Sequence, residues 1–170
     1  MADVEERLAA LEAQVAALVE RLGVTTGPVT PEAPAEGVFW ALDGLKQRLP
    51  AESAGAVLYT GTVRVAGRSY DWQYGREVDD LLAGDWAELP GILSALGHPV
   101  RLRLLREILT GRQGTAELAD IEELGTTGQL HHHLRQLTAA GWLHSTGRGR
   151  YAVPAERVVP LLAILTAARR

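Results

Sequence analysis

The run Thr126-Thr127-Gly128-Gln129-Leu130-His131-His132-His133-Leu134-Arg135 places three imidazoles, an amide, a guanidinium and two hydroxyls within ten residues. Side chains of these types support three chemistries: metal ligation, proton transfer, or hydrogen bonding to a nucleic acid. Zinc needs three or four ligands converging at about 2.0 to 2.3 Å, whereas adjacent residues on a helix diverge by about 100°. His131, His132 and His133 therefore cannot chelate one ion together, and the chain has no cysteine to help. His98 and His144 form a conceivable pair, but nothing in their spacing brings them together. No metal site and no cofactor is expected.

Catalysis has as little support. Ser53, Ser69, Ser94 and Ser145 lack a Gly-x-Ser-x-Gly setting, and there is no phosphate-cradling glycine loop and no His-x-x-x-His pair with a catalytic acid. Asp79, Asp80 and Asp85 read as the solvated side of an amphipathic segment. No catalytic residue is assigned, and an enzyme is not expected.

Hydrogen bonding to DNA fits the same residues better. With Leu130, Leu134 and Leu137 buried, helical spacing turns Gly128, His132, Arg135 and Gln136 outward and leaves Gln129 and His131 at the flanks, with His133 nearer the core as a structural hydrogen bonder. Gln suits adenine and Arg suits guanine in the major groove, and Gly128 permits close backbone approach. Thr126 and Gln129 form a capping box. Thr115, Thr126 and Thr127 lie where backbone amides meet phosphate. Arg148 and Arg150, in a short hairpin, suit phosphate or the minor groove, and Arg112 could join them. Asp120, Glu122 and Glu123 would repel phosphate and are expected to point away.

The elements that must position these groups follow from periodicity. Ile92, Leu93 and Leu96 mark a helix ending at Gly97. Pro99, in the favoured first turn, opens another through Leu102, Leu105, Ile108 and Leu109. A third starts with Thr115 as N-cap and turns Leu118 and Ile121 inward. A fourth runs to Gly141. Extended runs over 142–146 and 150–153 flank Gly147-Arg148-Gly149, and a last helix carries Val158 to Leu165, with Pro160 expected to kink it or confine its regular part.

Helices in this order with a basic hairpin after them make a winged helix-turn-helix. The segments LSALGHPVRLRLLREIL and TAELADIEELGTTGQLHHHLRQLTAAGWL resemble the DNA-binding domain of the bacterial ArsR/SmtB transcriptional regulators, over roughly residues 89–167. The resemblance implies a homodimeric DNA-binding regulator, commonly a repressor released by a metal ion or small molecule. The chain departs from the metal-sensing members: it has no cysteine pair, and its last helix offers only Glu156. The non-metal-sensing variety is the one implied.

Upstream, Val4, Leu8, Leu11, Val15, Leu18 and Leu22 form a heptad seam, so residues 1–22 are expected to be a coiled-coil helix for self-association, as a dimer or, through residues 4–22, a tetramer. Residues 23–36 carry Pro28, Pro31 and Pro34 and read as a flexible linker. Residues 37–88 combine a helix (Val38, Leu42, Leu45, Leu49) with a β-hairpin of alternating Val57 to Val65 and Tyr70 to Tyr74, broken at Ala66-Gly67. Residues 89–170 form the winged domain, with its last helix and the helix around Ile92 as the dimer interface. The expected fold class is thus mainly α with small β. Trp40, Tyr59, Tyr70, Trp72 and Tyr74 are candidates for an aromatic ligand pocket, although packing against helices, the C-terminal domain or a partner is the plainer explanation.

Charge divides along the same line. Residues 1–90 hold 7 Lys/Arg and 15 Asp/Glu, a net of −8, whereas residues 91–170 hold 10 Arg and 6 acids, a net of +4. A basic half of this kind suits a polyanion, here double-stranded DNA. No apolar run approaches the length of a membrane span and no signal peptide is visible, so the expected location is the cytoplasm, at the nucleoid, with no membrane partner. Two other readings stand beside the regulator: a protein-interaction adaptor engaging partners through the coiled coil and aromatic hairpin, and a one-component sensor holding a small-molecule effector at the hairpin.

Overall fold

The computed structural model describes residues 39–121 and 125–169. The coiled coil expected over 1–22, the linker over 23–36, Val38, Glu122 and Glu123 lie outside the described residues. Those described are mainly helical, with two small antiparallel hairpins. Among them no helix is long and apolar enough to cross a membrane.

Helix α1 spans Trp40–Lys46. It ends short of Leu49, the last leucine of its expected face. Strands β1 (Ala56–Val65) and β2 (Arg68–Glu77) pair antiparallel through the two-residue turn Ala66-Gly67. Both turn residues have positive φ, 48° and 73°. That is the backbone of a type I′ turn, whose twist matches the strands it joins. Helix α2 (Val78–Ala83) and a 3₁₀ turn at Trp86–Glu88 lead to α3 (Pro90–Ser94). Then come α4 (Pro99–Leu109), α5 (Thr115–Ala119), α6 (Thr127–Ala139), strands β3 (His144–Gly147) and β4 (Arg150–Ala152), and α7 (Ala155–Ala167).

One apolar core joins α4 to α7. Leu104, Leu105 and Ile108 of α4, Leu118 of α5, Leu130, Leu134 and Leu137 of α6, and Val158 and Leu161 of α7 are buried in it with Trp142 and Leu143. Each buried aliphatic side chain contributes roughly 1.5–3 kcal/mol relative to an exposed one. Helix α3 is held by a polar contact as well: the Trp142 indole donates to the Ile92 carbonyl at 2.9 Å. Ile92 and Leu96 face inward as expected, but Leu93 is about half exposed.

The aromatic hairpin lies against α7. Val63 and Tyr70 pack on the core, and a Cβ built on Gly61 would stand 2.9 Å from Val159 Cγ1. Residue 61 is thus glycine because strand and helix approach too closely for a side chain. The described residues from Leu42 onward form one compact unit. The boundary expected between 88 and 89 is therefore no break in packing.

Three local expectations need correction. The N-cap of α5 is Gly114 rather than Thr115: the Gly114 amide donates to the Glu117 carboxylate at 2.9 Å, and Thr115 is the first helical residue. Trp142 and Leu143 are not in the strand, which begins at His144, because the core takes both side chains. Pro160 does not confine α7, which runs through it; its missing N–H affects only the first-turn carbonyl of Glu156.

Candidate nucleic-acid interface

Helix α6 is built from its N-terminus. The Thr126 hydroxyl accepts from the Gln129 amide at 3.4 Å, and the Gln129 side-chain oxygen accepts from the Thr126 amide at 2.9 Å. This reciprocal cap satisfies two amides that would otherwise lack helical partners. Beyond it, Leu130, Leu134 and Leu137 are buried, while Gly128, His131, His132 and Arg135 are all exposed. The exposed four fall at i, i+3, i+4 and i+7, a single stripe opposite the leucines.

The β3–β4 hairpin is fixed beside α5. The Thr115 amide donates to the Gly149 carbonyl at 2.8 Å, and the Tyr151 amide donates to the Gln113 carbonyl at 2.9 Å. Gly149 has φ +68°, a backbone conformation that favours glycine, and a Cβ there would make a tight contact with the Thr115 hydroxyl at 3.0 Å. Arg148 and Arg150 at this tip are exposed. The structure thus gives the backbone amide of Thr115 to the hairpin rather than leaving it for phosphate. Thr126 and Thr127 stay exposed at the start of α6.

Gln129 sits less freely than its sequence position suggests. Its side-chain oxygen is engaged by both the Thr126 amide and, at 3.3 Å, the Thr126 hydroxyl. A two-bond contact with adenine uses the oxygen and the NH₂ together, so it would need the cap to open. Arg112 is held in an ion pair with Glu107 at 3.5 Å, so it does not stand free beside Arg148. Asp120 is the exposed C-cap residue of α5.

The histidines have separate surroundings. His131 and His132 are exposed. His133 turns inward, its ring centroid 4.7 Å from that of His98 and 5.7 Å from that of His132. Rather than making the expected hydrogen bond through Nδ1, it leaves that atom buried with no partner among the described residues. Burial, with the nearby His98, Arg101 and His132, holds its pKa below the ordinary histidine value. His98 caps α4: its Nδ1 accepts from the Val100 amide at 3.2 Å, which places its proton on Nε2 when the ring is neutral. Among the described residues no three His, Asp or Glu side chains are grouped so as to hold a metal.

The sequence did not disclose Arg101. Its guanidinium donates to the Ala95 carbonyl at 2.6 Å, the Ser94 carbonyl at 2.8 Å and the Gln136 side-chain oxygen at 2.6 Å. It therefore ties the end of α3 to α6 and sets the pose of the exposed stripe. Spacing does not single it out, because α4 carries three arginines, Arg101, Arg103 and Arg106. Gln136, expected to face outward, is the acceptor that completes this clamp.

The aromatic candidates are not gathered into one cavity. Tyr59 and Tyr74 contact each other at 5.8 Å between ring centroids. Tyr70 packs on the core and lines a recess of about 210 Å³ with Ile108 and Leu109. Trp72, paired with Gly61 across the hairpin, and Tyr74 are each more than a third exposed. Trp40 lies on α1 and is exposed.

Comparison of the chain with protein-family models, with curated proteins and with solved structures gives no match.

Proposed function

We propose that this chain is a sequence-specific double-stranded DNA-binding transcriptional regulator, a homodimeric repressor of the winged helix-turn-helix kind with no enzymatic activity. Helix α6 is the recognition helix, entering the major groove, and the β3–β4 hairpin is the wing on the phosphate backbone. The observation that carries this reading is the exposed stripe of Gly128, His131, His132 and Arg135, backed by buried leucines. A helix with small and hydrogen-bonding residues along one exposed face suits base edges. The support beside it is the arginine-tipped hairpin held to the start of α5. The net charge of +4 over residues 91–170 favours a polyanion as the ligand.

Base contact is assigned to Arg135, His132 and His131, and phosphate contact to Arg148, Arg150, Thr126 and Thr127. Gln129 acts first as the cap that orders the helix N-terminus. Self-association is assigned to the exposed apolar residues Leu89 and Leu93 and to Ile164 of α7, with half-sites about 34–36 Å apart on the duplex. Such a protein works in the cytoplasm, on the nucleoid. Enrichment of genomic fragments by the full chain, followed by sequencing, tests the proposal: a recurrent two-fold symmetric site supports it, and fragments without any shared sequence contradict it.

A further inference from the structure

A groove of about 500 Å³ opens between α4 and α7, closed on one side by Val65 of β1 and lined by none of the residues assigned to DNA. Its walls are Leu102 and Leu109 of α4 and Leu162 and Leu165 of α7, all only partly buried although they pack on the core. Its lining includes Arg103, Arg106 and Arg169 and, among the described residues, no acidic side chain. Arg106 and Arg169 are exposed, and among the described residues neither side chain has a hydrogen bond or ion pair. From Leu102 to Leu109 the wall runs for about 10 Å of helix, the reach of a medium-length alkyl chain.

The composition of the groove selects its occupant. An apolar trough with a cationic edge is complementary to an amphiphilic anion, whose chain leaves water while its head meets guanidinium groups. A second copy of this chain fits poorly, because a two-fold contact through this surface would bring the arginines of both copies together. The volume lies within the range of small-molecule sites, about 300–1,000 Å³. We propose that this groove is a binding site for a straight-chain amphiphilic carboxylate of medium length, with its chain between the leucines of α4 and α7 and its carboxylate on Arg106 and Arg169. Of the aromatic hairpin only Val65 lines this groove, so the small-molecule site lies mainly on α4 and α7, and the binding itself does not depend on the DNA-binding proposal.

Calorimetric titration of the full chain with decanoate, decanol and decyltrimethylammonium, each below its aggregation concentration and without DNA, tests this. Decanoate is expected to bind saturably at one site per chain. Decanol should bind at least tenfold more weakly, and decyltrimethylammonium should show no saturable binding. The surface variants R106E and R169E should each weaken decanoate at least tenfold while keeping the parent melting temperature. L162R should abolish binding by filling the trough. Absence of saturable decanoate binding, equal binding of decanol, or parent-like affinity in the R106E/R169E double variant would each overturn the assignment.

Discussion

The Arg101 guanidinium of α4 donates to the Gln136 side-chain oxygen of α6 at 2.6 Å, across 35 positions of sequence. The same guanidinium holds the Ala95 and Ser94 carbonyls, so one side chain fixes three segments. A hydrogen bond to a charged group contributes roughly 1.5–3 kcal/mol, less where water competes. Arg101→Met is expected to lower unfolding free energy by about 1–3 kcal/mol in urea denaturation. Gln136→Leu should cost less, because it leaves the two carbonyl contacts intact. Parent-like stability for R101M would remove Arg101 as the clamp.

The approach of the hairpin to α7 gives a reciprocal test. Gly61→Ala places a methyl 2.9 Å from Val159 Cγ1, and overpacking of this kind costs about 1–3 kcal/mol. Val159→Ala alone should also destabilise, by removing buried methyls. In the double variant the two should compensate in part, so the losses measured by thermal unfolding should add to less than their sum. Strict additivity would mean that the hairpin does not pack on Val159.

The cap of α6 is open to the same kind of measurement. Thr126→Ala removes the acceptor for the Gln129 amide and is expected to cost about 1 kcal/mol. Thr126→Ser should retain most of the parent stability, since its hydroxyl reaches the same amide. Equal losses in the two variants would argue against a capping role.

His133 links stability to pH. Burial first, then His98, Arg101 and His132, lowers its pKa in the folded protein. The unfolded chain therefore takes up the proton more readily, and the stability tied to neutral His133 is present above the unfolded value of about 6.5. It is lost as pH falls below that value, levelling off once the lower folded pKa has been passed. The melting temperature should drop between pH 7.5 and 5, and His133→Phe should make that drop shallower. A variant with an unchanged profile would assign the dependence to other groups.

How much could be read in advance follows from the range of each interaction. The Thr126–Gln129 cap, the Pro99 start of α4 and the Ala66-Gly67 turn are local, and neighbouring residues announce them. Leu130, Leu134 and Leu137 declare the buried side of α6 by spacing alone, and so place Gly128, His132 and Arg135 on the other side with His131 at its flank; the structure exposes His131 as well. The Arg101 clamp, the Gly61–Val159 approach and the hold of Gly149 on Thr115 join residues far apart in sequence, where spacing carries no information. The residue type of His98 does not announce a helix cap, because Ser, Thr, Asp and Asn usually fill that position. The packing of the hairpin on α7 decided what its aromatic residues cover, which alternation within the strands leaves open.

The most direct measurement of the central claim is fluorescence anisotropy with an enriched operator and a random duplex at two or more salt concentrations, comparing the parent with Arg148→Ala and Arg135→Ala. Loss of one phosphate contact in R148A should weaken both duplexes and flatten the slope of log K against log salt by about 0.9. R135A should lose affinity mainly for the operator, by roughly 1–3 kcal/mol, and so narrow its preference over the random duplex. If both variants bind both duplexes as the parent does, with the same salt dependence, α6 and the β3–β4 hairpin are not the DNA-binding surface.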